Sequence, residues 1–429
     1  MLINFIDKRK KEIFFLTLLV IFFYRSPYIF LNGRFMAEEG FLYFANAYKF
    51  GFLYSLLFVD FTSGYLNLWA NIAGIISNLF DLKVAPLVSN YVSLIPKIFI
   101  IYLILYYRSA LLVKFEHKVL FLLIVFLSPL NVPEIWLNSI NSQIFFCIIT
   151  FILIFINYEN ERINFFHLIL IIFSGLTGIY SCILSPIFFF KYLITRNKQN
   201  LLNFISIFVC SLIQISLIFY GKLTEQLYEE KMSAINFDLF VNYIYNVFIK
   251  AFLGTSFVKY LYYNYINPDL SLYFISTLVT LLFFSTIFFS YYFLKNQSVL
   301  SVKNRFFIFS SLYCLIATSI VVMIGAVANY VGGRYAALPS FYLLVTVLIT
   351  YILLHNFKAR YFFLIFLLIA ITAGIYEFRP PTKNVKHQYI KFLDCIGCPD
   401  WEIEHSKFKK DNNYPLKIWP YPKKSMKLN

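Results

Sequence analysis

The chain contains several windows of about twenty mostly apolar residues, the length that an α-helix needs to cross a bilayer. The first begins at Ile13 and is rich in Phe, Leu, Ile and Val. Of the 429 residues, 60% are hydrophobic and only 14% are charged, whereas soluble domains average about 25% charged residues. A transmembrane β-barrel would need alternating apolar and polar residues, which is not the pattern here. The sequence therefore predicts an all-α polytopic protein whose partner is the lipid bilayer.

The formal net charge of +16 does not indicate a nucleic-acid partner. Lys and Arg fall mainly in short breaks between the apolar runs and in the residues after 377. This distribution is typical of cytoplasmic loops, which carry an excess of positive charge. The basic residues from Lys8 to Lys11 place the N-terminus in the cytoplasm, and no small-residue cleavage site follows the first apolar run. We therefore expect a retained first helix in a cytoplasmic membrane and no nucleic-acid binding.

Loop charges and apolar runs together predict about eleven spans. The segment 64–80 has only about 17 residues, at the lower limit for a span. If it crossed, the basic loop 106–118 would lie outside, so we place 64–80 along the outer surface as a juxtamembrane helix. The tail after residue 376 then lies outside. The predicted spans are about 13–31, 88–107, 118–131, 143–157, 164–179, 181–194, 201–220, 270–294, 305–328, 338–355 and 360–376.

Two domains follow from this topology: a transmembrane domain, 1–376, and a short basic extracytoplasmic tail, 377–429. The tail contains Pro, aromatic residues and Lys, but too little apolar content for much of a core. Cys395 and Cys398 lie in it, where a local disulfide in an oxidising compartment is one possibility. A zinc ribbon would need a second cysteine pair, which the tail does not contain.

The polar residues that are unusual for a membrane protein collect on the predicted outer face. Arg25 falls at the headgroup boundary, where a charge is either paired with another group or extends to the interface. Arg334 follows Gly332 and Gly333, so its guanidinium either binds a phosphate in a bidentate manner or anchors the helix at the interface. The other members of this set are Arg34, Glu38, Glu39, Glu134, Trp136, Asn138, Asn141, Gln143 and Tyr335.

Glu38 and Glu39 form the first acidic pair after the first span. A carboxylate at the water–lipid boundary can act as the base that activates a hydroxyl group. Adjacent residues on a helix point about 100° apart, so we expect only one of the two to face a site. In the alternative interpretation, both residues simply begin a solvated helix, because acidic side chains stabilise helix N-termini.

The order of these features resembles the GT-C superfamily of integral-membrane glycosyltransferases. In that superfamily, an acidic pair follows the first helix and surface-lying helices come next. The matching stretches here are "AEEG" (37–40), "FLYFANAYKFG" and "GYLNLWANIAG". Two later stretches, "SPLNVPEIWLNSINSQ" and "GGRYAALP", fall where related proteins place substrate-binding residues. The pair here is Glu-Glu instead of the commoner Asp-containing form, and no large soluble outer domain follows.

The resemblance implies transfer of a sugar from a polyprenyl-phosphate-linked donor to a glycan or lipid acceptor on the outer face. Glu38 or Glu39 would act as the base or hold the acceptor, with Glu39 favoured because it precedes the glycine. Some members also use a divalent cation there, so such a cofactor is possible. Arg25, Arg34 and Arg334 would bind the lipid phosphate. Other substrate contacts would come from Glu134, Asn138, Asn141, Gln143 and Tyr335.

Two other functions compete with this interpretation. A polysaccharide polymerase or ligase would rely on arginines in its long outer loop, but the loop 221–269 contains Lys and no Arg. A transporter or flippase of lipid-linked oligosaccharides would often show internal repeats and charges in mid-helix. No repeat is visible in the sequence, and Lys97 is the main mid-span charge.

Overall fold

The computed structural model describes residues 2–130, 132–158, 163–226, 237–255, 301–325, 333–354, 357–378, 400–419 and 424–429. This part of the chain is mostly helical, as predicted, and has only a small antiparallel hairpin near its end. Its helices are α1 (Leu2–Arg25), α2 (Pro27–Asn32), α3 (Ala45–Leu56), α4 (Leu68–Asn78), α5 (Ala85–Tyr106), α6 (Phe115–Leu127), α7 (Ser142–Phe155), α8 (Phe165–Leu176), α9 (Ser185–Thr195), α10 (Lys198–Leu223), α11 (Phe237–Ile244), α12 (Val302–Ile324), α13 (Arg334–Leu353), α14 (Phe357–Phe378) and α15 (Trp401–Lys410). The strands are β1 (Leu416–Ile418) and β2 (Lys424–Met426).

Five helices in the described part are long and apolar enough to cross a membrane. They are α5, α10, α12, α13 and α14, counted from Lys358 in the last case. Three other predicted spans correspond to shorter apolar helices, α7, α8 and α9, of 14, 12 and 11 residues. The predicted span 270–294 lies outside the described residues. The chain is therefore a multi-span membrane protein, with five of the eleven predicted spans supported by length and composition.

The first helix is shorter than predicted at its C-terminal end. We expected it to continue to about Leu31, but α1 ends at Arg25 and α2 begins at Pro27. Pro has no amide hydrogen to donate and is favoured in the first turn of a helix, so the break at Ser26 follows from the sequence "RSP". The break turns Arg25 into a helix-terminal residue.

Helices α7 and α13 form the centre of the molecule. Every residue of α7 is buried, which explains why it is apolar on all sides. Its Phe151 contacts Phe341 and Tyr342 of α13 in edge-on ring pairs, with centroids 6.0 and 5.0 Å apart. Helices α4, α5, α8 and α9 contact α7, and helices α6, α12 and α14 contact α13.

The two ends of the bundle carry different groups. At one end, basic residues near the start of α1 lie over aromatic rings of the α5–α6 connection: Lys10 is 5.2 Å from the Phe115 centroid, and Lys11 is 5.8 Å from that of Tyr106. At the other end lie the segment 33–84 and the C-terminal residues. Helix α4 belongs to this second end. Its 11 residues span about 16 Å, too short to cross a hydrocarbon core of about 30 Å.

The C-terminal residues 400–419 and 424–429, here called the C-terminal module, consist of α15 and the β1–β2 hairpin. Its apolar side chains form a core together with the segment after α2. Phe408, Leu416 and Ile418 are buried there together with Phe35 and Phe44. The module therefore lies against the segment that contains the acidic pair, on the same side of the bundle.

Candidate functional site

The acidic pair lies where the C-terminal module meets the loop after α2. Ala37 has a left-handed backbone with a φ of 47°, and its amide donates to the Trp419 carbonyl at 2.6 Å. Met36 and Trp419 form a parallel bridge. A π-helix, Glu39–Phe44, starts directly afterwards. The module thus fixes the backbone on the N-terminal side of Glu38.

Glu39 is 2% exposed, and both of its carboxylate oxygens accept hydrogen bonds. Oε1 accepts from the amide and the hydroxyl of Ser139 at 2.6 and 2.8 Å, and Oε2 accepts from the Met36 amide at 3.0 Å. Burial raises the pKa of the Glu39 carboxyl above its ordinary value, although these bonds and the charge of Arg34 oppose that shift. Glu39 therefore joins the loop after α2 to the loop between α6 and α7.

Glu38 is only half-buried. Within the described part of the chain, no hydrogen bond or ion pair engages its carboxylate, but its charge acts on the buried Tyr43. Burial raises the pKa of the Tyr43 hydroxyl well above its ordinary value, and the charges of Tyr65 and Glu38 act in the same direction. Glu38 is therefore the more accessible of the two candidate bases. The sequence had favoured Glu39 for this role.

The loop between α6 and α7 contains two asparagines that were predicted to bind substrate. Asn138 is buried, and its Oδ1 accepts from the amides of Ile140 and Asn141 at 2.8 and 3.2 Å. The Asn141 side chain donates to the Glu134 carbonyl at 3.0 Å. The side-chain amides of Asn138 and Asn141 therefore stabilise the conformation of this loop.

Sequence reasoning missed Asn90 of α5, which connects the two loops. Its Oδ1 accepts from the Arg34 amide at 2.8 Å, and its Nδ2 donates to the Leu137 carbonyl at 2.9 Å. Ser139, which holds Glu39, was also missed. A lone Asn or Ser near apolar residues gives no signal in a single sequence, because the role of each depends on a partner far away in the chain.

A second polar group combines three predicted residues, Arg334, Glu134 and Tyr335. Arg334 Nη1 is 3.5 Å from a Glu134 carboxylate oxygen, and its Nη2 donates to the Tyr335 hydroxyl at 3.4 Å. About a third of the Arg334 and Glu134 side chains remains exposed. Gly333 has a φ of 56°, and a Cβ at this position would be 2.9 Å from the other Glu134 oxygen. Glycine thus lets the backbone approach the carboxylate, while Gly332 lies outside the described residues.

This second group interacts electrostatically with the segment that contains the acidic pair. Gln143, also a predicted site residue, donates to the Tyr65 hydroxyl at 3.2 Å. Tyr65 interacts electrostatically with Arg334, Tyr335 and Tyr43. Glu38 acts on Tyr43 as well, so two tyrosines relate the Arg334–Glu134 pair electrostatically to Glu38.

Three buried cations surround Trp136 beneath the acidic pair, and we call them the cation cluster: Arg25, Arg34 and Lys97. The Arg25 guanidinium is 4.5 Å from the Trp136 ring and 4.4 Å from that of Phe378. Lys97 Nζ is 3.9 Å from the Phe145 ring and donates to the Ser93 carbonyl at 3.1 Å. Arg25 therefore packs between rings and does not extend to the interface.

Arg34 connects the cation cluster to Glu39. Its Nη2 donates to the Trp136 carbonyl at 3.4 Å. Burial lowers the pKa of Arg34 to about 10, against the opposing effect of the Glu39 charge, so Arg34 is charged at neutral pH. Glu377 adds a second acidic group that acts on Arg25. Three basic and two acidic side chains therefore lie in or near this region.

The described residues include no group of three or more His, Cys, Asp or Glu side chains arranged to hold a metal ion. Cys395 and Cys398 lie outside the described residues, so the predicted local disulfide stays a prediction. The cysteines at 147, 182, 210 and 314 are free, and all except the half-buried Cys182 are buried. Buried free cysteines act as small apolar core residues.

Comparison with known proteins finds no matching family model, no similar curated protein and no similar solved structure.

Proposed function

We propose that this protein is a membrane glycosyltransferase of the GT-C type. It transfers a sugar from a polyprenyl-phosphate carrier to a glycan or lipid acceptor on the outer face of the cytoplasmic membrane. One observation carries the proposal: an accessible carboxylate, Glu38, and the partly exposed Arg334–Glu134 pair are related electrostatically through two interacting tyrosines, Tyr43 and Tyr65. A base and a phosphate-binding cation are the two groups that this reaction requires.

Glu38 is assigned the role of base. It removes the proton from an acceptor hydroxyl while that oxygen forms a bond to the anomeric carbon of the donor. The bond from the anomeric carbon to the phosphate oxygen breaks, and polyprenyl phosphate leaves with the electron pair. Arg334 stabilises the charge that develops on this phosphate, because guanidinium groups bind phosphate oxygens with strong charge-assisted hydrogen bonds.

The other predicted residues take supporting roles. Glu39, Asn138 and Asn141 hold the two outer loops in register through the bonds described above. Gln143 and Tyr335 supply polar groups near Arg334 for the sugar. The buried Arg25 and Arg34 contribute positive electrostatic potential to the site, because charges in a low-dielectric region act over longer distances than in water.

A transfer assay tests the proposal. Purified protein in nanodiscs is incubated with undecaprenyl-phosphate-linked radiolabelled hexoses and an extract of cell-envelope glycans. We expect label to move from the lipid fraction into the glycan or lipid acceptor fraction. No transfer from any hexose or pentose carrier, by protein shown to be folded, would contradict the proposal.

Lys97 supports a second candidate function, transport of lipid-linked oligosaccharides. It is fully buried in the middle of the spanning helix α5, and intramembrane charges often mark transport pathways. A vesicle assay separates the two functions. A transporter would move a fluorescent polyprenyl-linked sugar between leaflets without changing it, whereas the transferase would cleave the sugar from its carrier.

A further inference from the structure

A cleft lies between the C-terminal module, α2 and the start of α5, apart from the Arg334–Glu134 group. Its volume is about 390 Å³, within the range of about 300–1,000 Å³ typical of small-molecule sites. Tyr28 of α2 lines one side, and Trp401 and Trp419 of the module line the other. Tyr28 interacts electrostatically with Asp400, so the two walls are close to each other.

Specific contacts hold the module side of this cleft in place. Trp401 Nε1 donates to the Leu82 carbonyl at 2.9 Å, and Lys83 pairs with Glu402 at 2.5 Å. The Trp419 amide donates to the Phe35 carbonyl at 3.1 Å. The cleft is therefore part of the folded arrangement of the module on the bundle.

The lining combines aromatic rings with both hydrogen-bond donors and acceptors. Arg34, Lys83 and Lys417 supply donors, while Asp400 and Glu402 supply acceptors. A site for an anion would be weakened by two carboxylates, and a groove for an alkyl chain would not contain five charged groups. Sugars fit both features, because their hydroxyls donate and accept hydrogen bonds and their C–H faces pack on aromatic rings.

We infer that this cleft binds a saccharide of two or three units, as part of the acceptor glycan. The saccharide class follows from the lining alone, whereas its role as acceptor rests on the proposed function. The position suits that role: Trp419 lies in the cleft and its carbonyl binds the Ala37 amide, one residue before Glu38. A glycan held there lies close to the proposed base.

Binding is measured with the full-length protein in nanodiscs and neutral trisaccharides, maltotriose and chitotriose, by saturation-transfer NMR. Tyr28→Ala removes one aromatic wall, and Lys417→Ala removes a donor. Two exposed positions outside the cleft give matched controls, Tyr48→Ala and Lys410→Ala. We expect one trisaccharide to bind the wild type and the controls equally, and each cleft variant to bind about fivefold more weakly.

The inference is overturned if neither trisaccharide binds folded wild-type protein, or if both cleft variants bind as well as their controls. Binding of undecaprenyl phosphate at this cleft, with no trisaccharide binding, overturns it too. The readout is binding, so it is independent of the transfer reaction. If a trisaccharide binds but no sugar is transferred, the saccharide site stands and the proposed function fails.

Discussion

At the scale of single residues, Glu39 illustrates how a buried carboxylate can connect two loops. Replacing it with Gln puts an amide N–H₂ group where an oxygen now accepts from Met36 or Ser139. A buried donor without an acceptor costs about 1–3 kcal/mol. We therefore expect Glu39→Gln to lower the free energy of unfolding by about that amount, measured as a lower thermal midpoint in detergent.

Glu38→Gln is the matched control for this change. Glu38 is half-buried, and exposed substitutions usually change stability by less than about 0.5 kcal/mol. Ser139→Ala should lower the midpoint in the same direction as Glu39→Gln, because it removes one donor to the same oxygen. Equal thermal midpoints for both glutamine variants and the wild type would refute the connecting role of Glu39.

Arg334 is the arginine best suited to test donor binding. Arg25 packs between two rings, so replacing it changes packing as well as charge. Arg334→Lys keeps a positive charge beside Glu134 but loses the planar fork, and we expect about tenfold weaker binding of a polyprenyl-phosphate sugar. Titration by microscale thermophoresis measures this affinity. Exposed Arg196→Lys serves as the control, and unchanged affinity in both Arg334→Lys and Arg334→Ala would rule Arg334 out.

At the scale of elements, the C-terminal module depends on Glu404. Burial opposes ionisation of this carboxyl, but donors from Lys407, the Lys417 amide and Tyr414 outweigh it and lower its pKa. A lowered folded-state pKa gives stability that is present above the unfolded pKa of about 4.3 and is lost as the pH falls through the folded value. The module should therefore destabilise in acid.

Spin labels at exposed positions 54 and 410 report this change as a distance across the docking contact. We expect one narrow distance at pH 7 and a broad distribution well below pH 4. Glu404→Gln should already broaden the distribution at pH 7, while Lys409→Gln, at an exposed position of α15, should not. A narrow distance for Glu404→Gln at neutral pH would contradict this role.

Most differences between the predicted and the observed helices are at the helix ends. Hydropathy predicted α5, α10 and α13 well, because each is long and apolar. It also predicted spans at α7 and α9, which are apolar but only 14 and 11 residues long, and these two spans stay predictions. The acidic pair was proposed as a site from its position after the first span alone.

The sequence did not predict the docking of the C-terminal module, because the core at this contact combines residues that are far apart in the chain.

At the scale of the whole molecule, the arrangement predicts which loops share a side of the membrane. The module and the segment after α2 are in contact, while Lys10 and Lys11 lie near the α5–α6 connection. Single cysteines at exposed positions 54 and 410, in a background without native cysteines, should react with an impermeant maleimide from outside. A cysteine at Val113, which is 74% exposed, should not react. Labelling of position 113 from outside would reverse the predicted topology.

We propose that Glu38 is the base for sugar transfer. Glu38→Gln, Glu39→Gln and the double variant are compared with wild type for transfer from a radiolabelled undecaprenyl-phosphate sugar, at equal amounts of folded protein. Removal of a general base costs about 10²–10⁴-fold in rate, so Glu38→Gln should lose that factor. Glu39→Gln should lose activity only in proportion to its loss of folded protein. Full transfer by Glu38→Gln and by the double variant would contradict the account.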